Sequence, residues 1–343
     1  MNAYVLHGVE DLRSEQRGER DLEADEVRVE IARVGICGSD VHYHNHFRIG
    51  DFVPQAPLVL GHEFAGKVIE VGSEVKEYKV GDRVTAEPSI ACLKCRYCRQ
   101  GRYNLCTDMR FIGTAATVPH IDGAFAERVV VPARQCYRIP EGLDYAAGAL
   151  VEPMAVGCHA VTRAGALGGK RVLITGGGTI GQMVLAVARA FGAVDLTVAD
   201  PAPFAREFST GQGARTAYDP SVSEDRSAMI DAPFDVVFEC SGSPKALELA
   251  YAASARGATV VQVGTQPASV ELPANLVMSR ELSVLGSFRY THVFDTVLEL
   301  MSAGKVSVDS LVSAVYSFDD MQSAMTRAVS GSDVIKVQVS REG

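Results

Sequence analysis

An apolar run that ends in a cluster of glycines most constrains the fold of this chain. Residues RVLIT (171–175) are typical of a buried strand and lead directly into Gly176, Gly178 and Gly181, spaced as in nucleotide-binding turns. In such a turn the first glycine permits a sharp bend and the second lets backbone amides approach a pyrophosphate. The third lets the following helix pack closely on the strand. A glycine-rich turn can also be purely steric, so the segments that follow decide between the two interpretations.

Further apolar runs follow this turn at helical-length intervals. They are DLTVAD (195–200), DVVFEC (235–240) and TVVQVG (259–264). Strands spaced in this way predict a parallel, doubly wound sheet. Asp200 ends the second strand, near the distance of about 20 residues at which an acid binds ribose hydroxyls. The pattern therefore predicts a dinucleotide site that favours NAD, because Asp200 would repel a 2′-phosphate, while Arg206 leaves NADP open.

The amino-terminal part of the chain has a different texture. Short alternating segments such as VRVEIA (27–32) and GKVIEVG (66–72) are separated by glycine, proline and charged turns, which indicates antiparallel strands. Beyond Leu285 the regular strand and helix alternation ends, so we expect the tail to rejoin the first domain. The predicted fold class is α/β, with a first domain of residues 1–152 and 285–343 and a second domain of residues 153–284.

Composition excludes several partners. The chain has 343 residues, is 47% hydrophobic and carries a formal net charge of -9, so it repels phosphate backbones and anionic membranes. We therefore expect neither nucleic acid nor a membrane as a partner. The segment Met1–Arg13 lacks the basic start and apolar run of a secretory signal, which predicts a cytoplasmic protein. In that compartment, clustered cysteines indicate metal binding rather than disulfides.

Four of the eight cysteines lie within the segment ACLKCRYCRQGRYNLC. They are Cys92, Cys95, Cys98 and Cys106. Four thiolates at this spacing can enclose Zn²⁺ without an open position, which predicts a structural zinc site. The alternatives are four free thiols or a zinc knuckle that binds nucleic acid, and the acidic chain disfavours the latter. We expect the interleaved cations to offset the thiolate charge and to lower the thiol pKa values: Lys94, Arg96, Arg99 and Arg102.

Two segments precede the cysteines: GICGSDVHYH (35–44) and GHEFAG (61–66). Neither segment by itself indicates a function. A single Cys37 is usually a small buried hydrophobe, and a single His62 is usually a structural histidine. Combined with the cysteine segment and the glycine turn, however, they resemble the zinc-containing medium-chain dehydrogenases, in the sorbitol and threonine dehydrogenase branch. The resemblance extends along essentially the whole chain and is carried by Cys37, His62, Glu63, the four-cysteine segment, Glu152 in LVEPMAVGCHA and the glycine turn.

The resemblance implies a GroES-like β domain interrupted by a Rossmann dinucleotide-binding domain. It also implies that Cys37 and His62 bind a catalytic zinc, that Glu63 belongs to the metal site and that Glu152 ligates zinc or hydrogen-bonds its water. The expected cofactors are thus a catalytic and a structural Zn²⁺ together with NAD, and the expected reaction is oxidation of an alcohol with hydride transfer to the nicotinamide.

Further roles follow from the same resemblance. Ser39 and His42 match the proton relay of the family, and dimers or tetramers are its usual assemblies. The frequent arginine that follows the ribose-binding acid falls at Ala205 rather than at Arg206, so this contact differs here. The residues expected to contact the dinucleotide, besides the glycines, are Ile180, Asp200, Val263, Gly264, Ser287, Phe288 and Arg289.

The substrate is expected to be anionic or polyhydroxylated, because arginines lie close to the motifs. The stretches CTDMRFIG (106–113), VPHIDGAF (118–125) and GSFRY (286–290) resemble the L-idonate 5-dehydrogenases, which interconvert L-idonate and 5-ketogluconate. Sorbitol or xylitol dehydrogenases are the alternative. A zinc-free or inactive relative is a further alternative, which the joint presence of the predicted zinc ligands disfavours. The substrate-binding candidates are Tyr43, Arg110 and Arg289, with Arg48 as a weaker one.

Overall fold

The computed structural model describes residues 1–342, which divide into two compact units. The first unit contains Met1–Glu152, Phe294–Ser302 and the chain from Val308 on. The second contains Pro153–Val293 and Ala303–Ser307.

The first unit starts with ten strands and three helices. The strands are β1 (Asn2–Gly8), β2 (Asp11–Gln16), β3 (Glu26–Gly35), β4 (Leu58–Val59), β5 (Glu63–Val71), β6 (Arg83–Ala86), β7 (Ser89–Ile90), β8 (Arg110–Phe111), β9 (Arg128–Pro132) and β10 (Cys136–Arg138). The helices are α1 (Gly38–His46), α2 (Arg96–Arg99) and α3 (Tyr145–Ala149), and 3-10 turns lie at Tyr103–Leu105 and Ala133–Gln135.

Helices and strands alternate in the middle of the chain. They are α4 (Val151–Ala164), β11 (Arg171–Thr175), α5 (Thr179–Ala190), β12 (Asp195–Ala199), α6 (Pro203–Gly211), β13 (Thr216–Tyr218), α7 (Ser223–Asp231), β14 (Phe234–Glu239), α8 (Pro244–Ala252), β15 (Ser254–Gln262), α9 (Ala274–Ser279) and β16 (Ser283–Gly286). The chain then continues through α10 (Phe294–Ser302), β17 (Val312–Ser317), a 3-10 turn at Phe318–Asp320, α11 (Met321–Ser330) and β18 (Lys336–Ser340).

The main sheet of the first unit has the strand order β10-β6-β5-β3-β18-β17, with β9 also paired to β3. The two segments predicted as antiparallel strands are β3 and β5, and Val29 lies opposite Val68. Alternation along β3 places Val27, Val29 and Ile31 in the apolar core. Arg28 between them pairs with Glu70 at 2.8 Å instead. The predicted antiparallel pairing of these two segments is confirmed.

The second unit is built on a six-stranded, wholly parallel sheet in the order β13-β12-β11-β14-β15-β16. This order is that of a doubly wound Rossmann sheet, so the predicted fold class is confirmed. The register aligns Thr175 with both Ala199 and Glu239, and Gln262 with both Glu239 and Gly286. The loops that follow these residues therefore emerge together at the carboxyl edge of the sheet.

The predicted domain boundary at Leu285 is wrong, because this residue lies inside β16, which pairs with β15. The second unit continues to Val293, and the chain returns to the first unit at Phe294. The physical reason is that β16 is an edge strand with largely exposed side chains, Val284 among them, so it lacks the continuous apolar run of a central strand.

Each unit has its own apolar core. Fully buried residues such as Phe64, Phe125 and Val339 fill the first, and residues such as Leu173 and Val260 fill the second. Among residues 1–342, no helix combines the length and the apolar character that crossing a membrane requires.

Candidate functional site

The structure brings Cys37 together with the adjacent residues His62 and Glu63 of the first unit. One ligand atom each from Cys37, His62 and Glu63 lie within 4.8 Å of one another, and we call these residues the Cys37 cluster. Cys37 caps the amino terminus of α1, whereas Glu63 begins β5 opposite Gly35 at the end of β3. A Cβ atom at Gly35 would lie 2.3 Å from a carboxylate oxygen of Glu63, so the glycine makes room for that side chain.

A buried carboxylate that the sequence interpretation did not single out orders this cluster. Asp40 is fully buried and accepts hydrogen bonds from the backbone amides of Cys37, at 2.9 Å, and Gly61, at 3.3 Å. Its Oδ1 also lies 3.7 Å from Nδ1 of His62. Burial by itself lowers the pKa of His62, but the charges of Asp40 and Cys37 outweigh it and raise that pKa well above its ordinary value. Asp40 thus positions Cys37 through a hydrogen bond and favours the charged form of His62 through its own charge.

Lys336 is a second residue that the sequence did not reveal. Its ammonium group donates to both carboxylate oxygens of Glu63, at 2.8 and 2.7 Å, and to the carbonyl of Ile36 at 3.0 Å. Both side chains of the ion pair are almost completely buried. Glu152 lies outside the Cys37 cluster but is close enough for its charge to raise the pKa of both His62 and Lys336.

The donor set of the Cys37 cluster fits Zn²⁺. Thiolate sulfur, imidazole nitrogen and carboxylate oxygen are its usual ligands in catalytic sites. Nδ1 of His62 is buried and has no hydrogen-bond partner among the described residues, and it faces Asp40. A carboxylate offers about four lone-pair positions, so Glu63 can accept from Lys336 and still bind a metal. Lys336 offsets part of the negative charge, and a divalent cation would offset the rest.

Helix α1 carries the other residues expected near the cluster. The hydroxyl of Ser39 lies 3.5 Å from Nε2 of His62. His42 is exposed, and its ring centroid is 5.8 Å from that of His46. Tyr43 is buried, and its hydroxyl accepts a hydrogen bond from the amide of Ala115 at 3.2 Å.

The four cysteines of residues 92–106, which we call the cysteine lobe, also converge. One sulfur from each of Cys92, Cys95, Cys98 and Cys106 lies within 4.8 Å of the others, and all four are free thiols. Backbone amides, first that of Cys98 and then that of Thr107, lower the pKa of Cys95 to about 6. The predicted lowering by interleaved cations is wrong for Cys95, because amide hydrogen bonds outrank any arginine or lysine there. The donor set fits a closed, structural zinc site.

A buried carboxylate connects the cysteine lobe to the rest of the unit. Glu87 accepts hydrogen bonds from the hydroxyls of Ser89 and, at 3.0 Å, of Tyr103, which lies in the 3-10 turn before Cys106. Burial raises the pKa of Glu87 to about 7, and the two hydroxyls oppose that shift.

In the second unit, the loop of residues 176–181 has the predicted geometry at each glycine. Gly176 has φ +94°, which only glycine adopts readily. A Cβ atom at Gly181 would lie 1.9 Å from the carbonyl oxygen of Gly176, so helix and strand pack closely there. Beside Gly178, by contrast, a Cβ atom would meet open space. This open cradle at the start of α5, where Ile180 lies in the first turn, fits a pyrophosphate.

Asp200 follows β12 and faces this loop. Its carboxylate accepts hydrogen bonds from the amides of Gly177 and Ala202, both at 2.8 Å. Arg206 donates to the backbone carbonyl of Asp200 at 2.8 Å and pairs with Asp219 at 3.1 Å. The guanidinium of Arg206 is thus held away from the acid's side chain, which weakens its case as a 2′-phosphate ligand.

Glu239 is a buried acid that the sequence interpretation missed. Its side chain accepts hydrogen bonds from the amides of Ser241 and Gly242, at 2.8 and 3.0 Å, from the hydroxyl of Ser241 and from the side-chain amide of Gln266. Its backbone carbonyl accepts from the amides of Val263 and Gly264. One residue therefore joins the loops that follow β14 and β15. The available signal was an acid that directly follows the apolar run of residues 236–238, at the carboxyl edge of the sheet.

The remaining predicted dinucleotide contacts follow β16 at the same edge. The amide of Ser287 donates to the carbonyl of Gln262 at 2.9 Å. Phe288 is exposed, and the guanidinium of Arg289 lies 4.9 Å from the centre of its ring. Arg289 adopts a left-handed backbone conformation with φ +54°.

Arg110 does not join the Cys37 cluster, so its predicted substrate contact is not supported. Its strand neighbour Phe111 packs edge-on against His62, with ring centroids 5.7 Å apart, and successive side chains of a strand point to opposite faces. Arg110 instead lines a separate cavity of ≈ 530 Å³, where it helps Arg20 to lower the pKa of Glu26 against the effect of burial.

Arg48, the weaker substrate candidate, is also engaged locally. Its guanidinium donates to the carbonyl of Gly50 at 2.8 and 3.0 Å.

Known proteins resemble this chain over its whole length. Residues 23–141 match the alcohol dehydrogenase GroES-like domain, and residues 179–303 match the zinc-binding dehydrogenase domain. Sorbitol dehydrogenase of Bacillus subtilis (strain 168) is 37% identical over 346 residues, which include 99% of this chain and 97% of the relative. L-idonate 5-dehydrogenase (NAD(P)(+)) of Escherichia coli (strain K12) is 38% identical over 312 residues, with 91% and 90% covered. The crystal structure of L-idonate 5-dehydrogenase from Escherichia coli str. K-12 substr. MG1655 superimposes with a TM-score of 0.94 at 35% identity, covering 99% and 97% of the two chains.

Proposed function

The chain belongs to the zinc-binding, NAD(P)-dependent medium-chain dehydrogenases, and from this premise we propose that it oxidises L-idonate to 5-ketogluconate with NAD. The coarser assignment, to the relatives that act on polyols and sugar acids, rests on the matches along the full chain. The observation that carries the chemistry is the convergence of Cys37, His62 and Glu63, together with an open glycine loop facing Asp200.

In the proposed mechanism Cys37, His62 and Glu63 hold the catalytic zinc, with Glu152 as a further carboxylate beside them. Bound Zn²⁺ would act as a Lewis acid that lowers the pKa of the substrate hydroxyl. Asp40 holds the backbone of Cys37 and faces Nδ1 of His62, the side of the ring where carboxylate partners of metal-binding histidines lie. The cysteine lobe holds the structural zinc.

The proton released by the hydroxyl is passed outward along α1. Ser39 lies beside His62, and His42 follows it three residues later, so the two are neighbours on the helix surface. Because His42 is exposed, it can release the proton to water.

The second unit holds the dinucleotide. Gly176, Gly178, Ile180 and Gly181 form the pyrophosphate cradle, and Asp200 binds the ribose hydroxyls. Bound NAD would accept the hydride. The further proposed contacts are Val263, Gly264, Ser287, Phe288 and Arg289.

We propose Arg289 as the group that recognises the carboxylate of a sugar acid. A guanidinium binds a carboxylate through paired hydrogen bonds, and a neutral polyol would leave it without that partner. The competing proposal is a sorbitol or xylitol dehydrogenase, which the 37% identity to sorbitol dehydrogenase supports.

The test compares kcat/KM for L-idonate with kcat/KM for D-sorbitol, and the absorbance of NADH monitors both reactions. We expect kcat/KM to be about ten to a hundredfold higher for L-idonate, because D-sorbitol leaves the guanidinium of Arg289 without a charged partner. Arg289→Met should remove most of that preference, whereas Arg110→Met, a matched change at an arginine that lines a separate cavity, should leave it intact. A preference for D-sorbitol in the unaltered enzyme would favour the polyol proposal.

Assembly and location are also proposed. The parallel sheet ends at β16, where Val284 is exposed, and the segment that precedes this strand also exposes Leu272 and Met278. An exposed apolar strand edge is a natural place for a second copy to pair, so we propose a homo-oligomer, a dimer or tetramer, in the cytoplasm.

A further inference from the structure

Two histidines of α1 face each other at the surface. His42 and His46 lie one helical turn apart, their ring centroids are 5.8 Å apart and the ring planes are inclined by 43°. Both side chains are exposed. In the part of the chain from residue 1 to residue 342, neither imidazole has a hydrogen-bond or ion-pair partner. Their ring nitrogens are thus available to a ligand.

The helix that carries them is held in place at both ends. At its amino terminus the side chain of Asp40 accepts from the amide of Cys37, and at its carboxyl terminus the amide of Phe47 donates to the carbonyl of Tyr43 at 2.8 Å. Asp40 and Tyr43 are buried, so one face of α1 is fixed against the core while His42 and His46 project from another. Only side-chain rotations are needed for the two rings to converge on one ion.

We propose that His42 and His46 form a surface site for a divalent transition ion such as Zn²⁺ or Ni²⁺, separate from the Cys37 cluster and the cysteine lobe. Imidazole nitrogens suit these ions, and two histidines at i and i+4 share one helix face as required for joint binding. Water would complete the coordination shell.

The electrostatic setting favours a cation at this position. His46 is the last residue of α1, where the carboxyl end of the helix dipole attracts positive charge. The formal net charge of -9 adds a general attraction for cations.

Occupation of this site by a metal ion is expected to lower the dehydrogenase activity. This expectation rests on the proposed function. His42 is the proposed outer member of the proton relay, and a ring nitrogen that binds a metal cannot accept a proton. Excess divalent ion is therefore expected to inhibit the dehydrogenase without removing its resident zinc.

The test titrates Ni²⁺ into the untagged, zinc-loaded enzyme by calorimetry. We expect His46→Asn to weaken Ni²⁺ binding by about 10- to 100-fold, because even loss of a residue that only supports a metal ligand typically costs this much. The matched control is His44→Asn on the same helix, where Nδ1 of His44 lies 2.9 Å from the side-chain oxygen of Asn45. This control should bind Ni²⁺ like the unaltered enzyme, and metal analysis should show the same zinc content in all three proteins.

Two results would contradict the proposal at different points. Equal Ni²⁺ affinity in the unaltered enzyme and in His46→Asn would overturn the metal site. A different result would show that His42 is not part of the proton relay. In that case His46→Asn would lose Ni²⁺ binding, but Ni²⁺ would not change the oxidation rate of the unaltered enzyme. Without added Ni²⁺, His46→Asn should retain full activity, because His46 has no part in the proposed mechanism.

Discussion

Lys336 donates hydrogen bonds to both carboxylate oxygens of Glu63, at 2.8 and 2.7 Å, although the two residues are 273 positions apart in the sequence. The pair is buried, so neither charge is stabilised by water. It thereby links the last strand of the first unit to the residue that follows His62, and it places a positive charge beside a group that we assign to the metal site.

Lys336→Met should destabilise the protein strongly, because it leaves the buried Glu63 carboxylate without its lysine partner. Breaking a buried pair in this way typically costs about 3–5 kcal/mol. The measurement is the free energy of unfolding in denaturant. Lys67→Met is the matched control, since Lys67 pairs with Glu30 at 3.4 Å on the exposed surface, and it should cost at most about 1 kcal/mol. Similar losses of unfolding free energy in both variants would show that the buried pair stabilises the protein no more than the surface pair does.

Asp200→Ala should narrow the preference for NAD over NADP. The carboxylate that would bind the ribose hydroxyls and repel a 2′-phosphate is removed, so we expect the ratio of the two kcat/KM values to fall by roughly tenfold, as for loss of a charge-assisted hydrogen bond. Asp195→Ala is the control, because Asp195 lies at the opposite end of the same strand and pairs with Arg171. An unchanged ratio of the two kcat/KM values in Asp200→Ala would show that another residue determines the preference for NAD.

Glu239→Gln should weaken the binding of NADH. The substitution keeps the size of the side chain but turns part of its acceptor surface into a donor, which disturbs the hydrogen bonds from Ser241, Gly242 and Gln266. We expect the dissociation constant of NADH, measured by fluorescence titration, to rise by about tenfold. Glu87→Gln removes a buried carboxylate in the first unit and should leave this constant unchanged. If both variants bind NADH with the affinity of the unaltered enzyme, the role of Glu239 is purely structural.

Glu87 should make stability depend on pH. Burial raises its pKa in the folded protein to about 7, above its ordinary value of 4.5. The folded state therefore holds the proton more tightly than the unfolded state, so this residue's contribution to stability is full below pH 4.5 and is lost as the pH rises through 7. Thermal unfolding of Glu87→Gln across this range should show a flatter pH profile than the unaltered protein. Parallel profiles would contradict the assignment.

Local features could be predicted from the sequence because they depend on spacing along one segment. The strand, the glycines and Asp200 are all contained in residues 171–200, and the structure places the acid 2.8 Å from the amide of Gly177. The four cysteines of the lobe are likewise close in sequence, so their convergence needs only a short loop.

Features that depend on distant contacts could not be predicted in this way. Lys336 lies 273 residues from Glu63, and the sequence of its strand, KVQVS, alternates polar and apolar residues and gives no sign that the lysine is buried. The position of Arg110 could not be read from its segment, because a two-residue strand gives no sign of which side chain faces the cluster. Leu285 was assigned to the wrong unit because edge strands expose their side chains.

The zinc content of three proteins tests the central claim most directly. The unaltered enzyme should contain about two zinc ions per chain. Cys37→Ser should contain about one, retain its thermal stability and lose the oxidation of L-idonate and polyols, because it alters only the catalytic centre. Cys95→Ser should also lose one ion, but with a clear drop in the unfolding temperature, because it opens the structural centre. An unaltered enzyme without zinc, or a reversal of the two variants, would contradict the account.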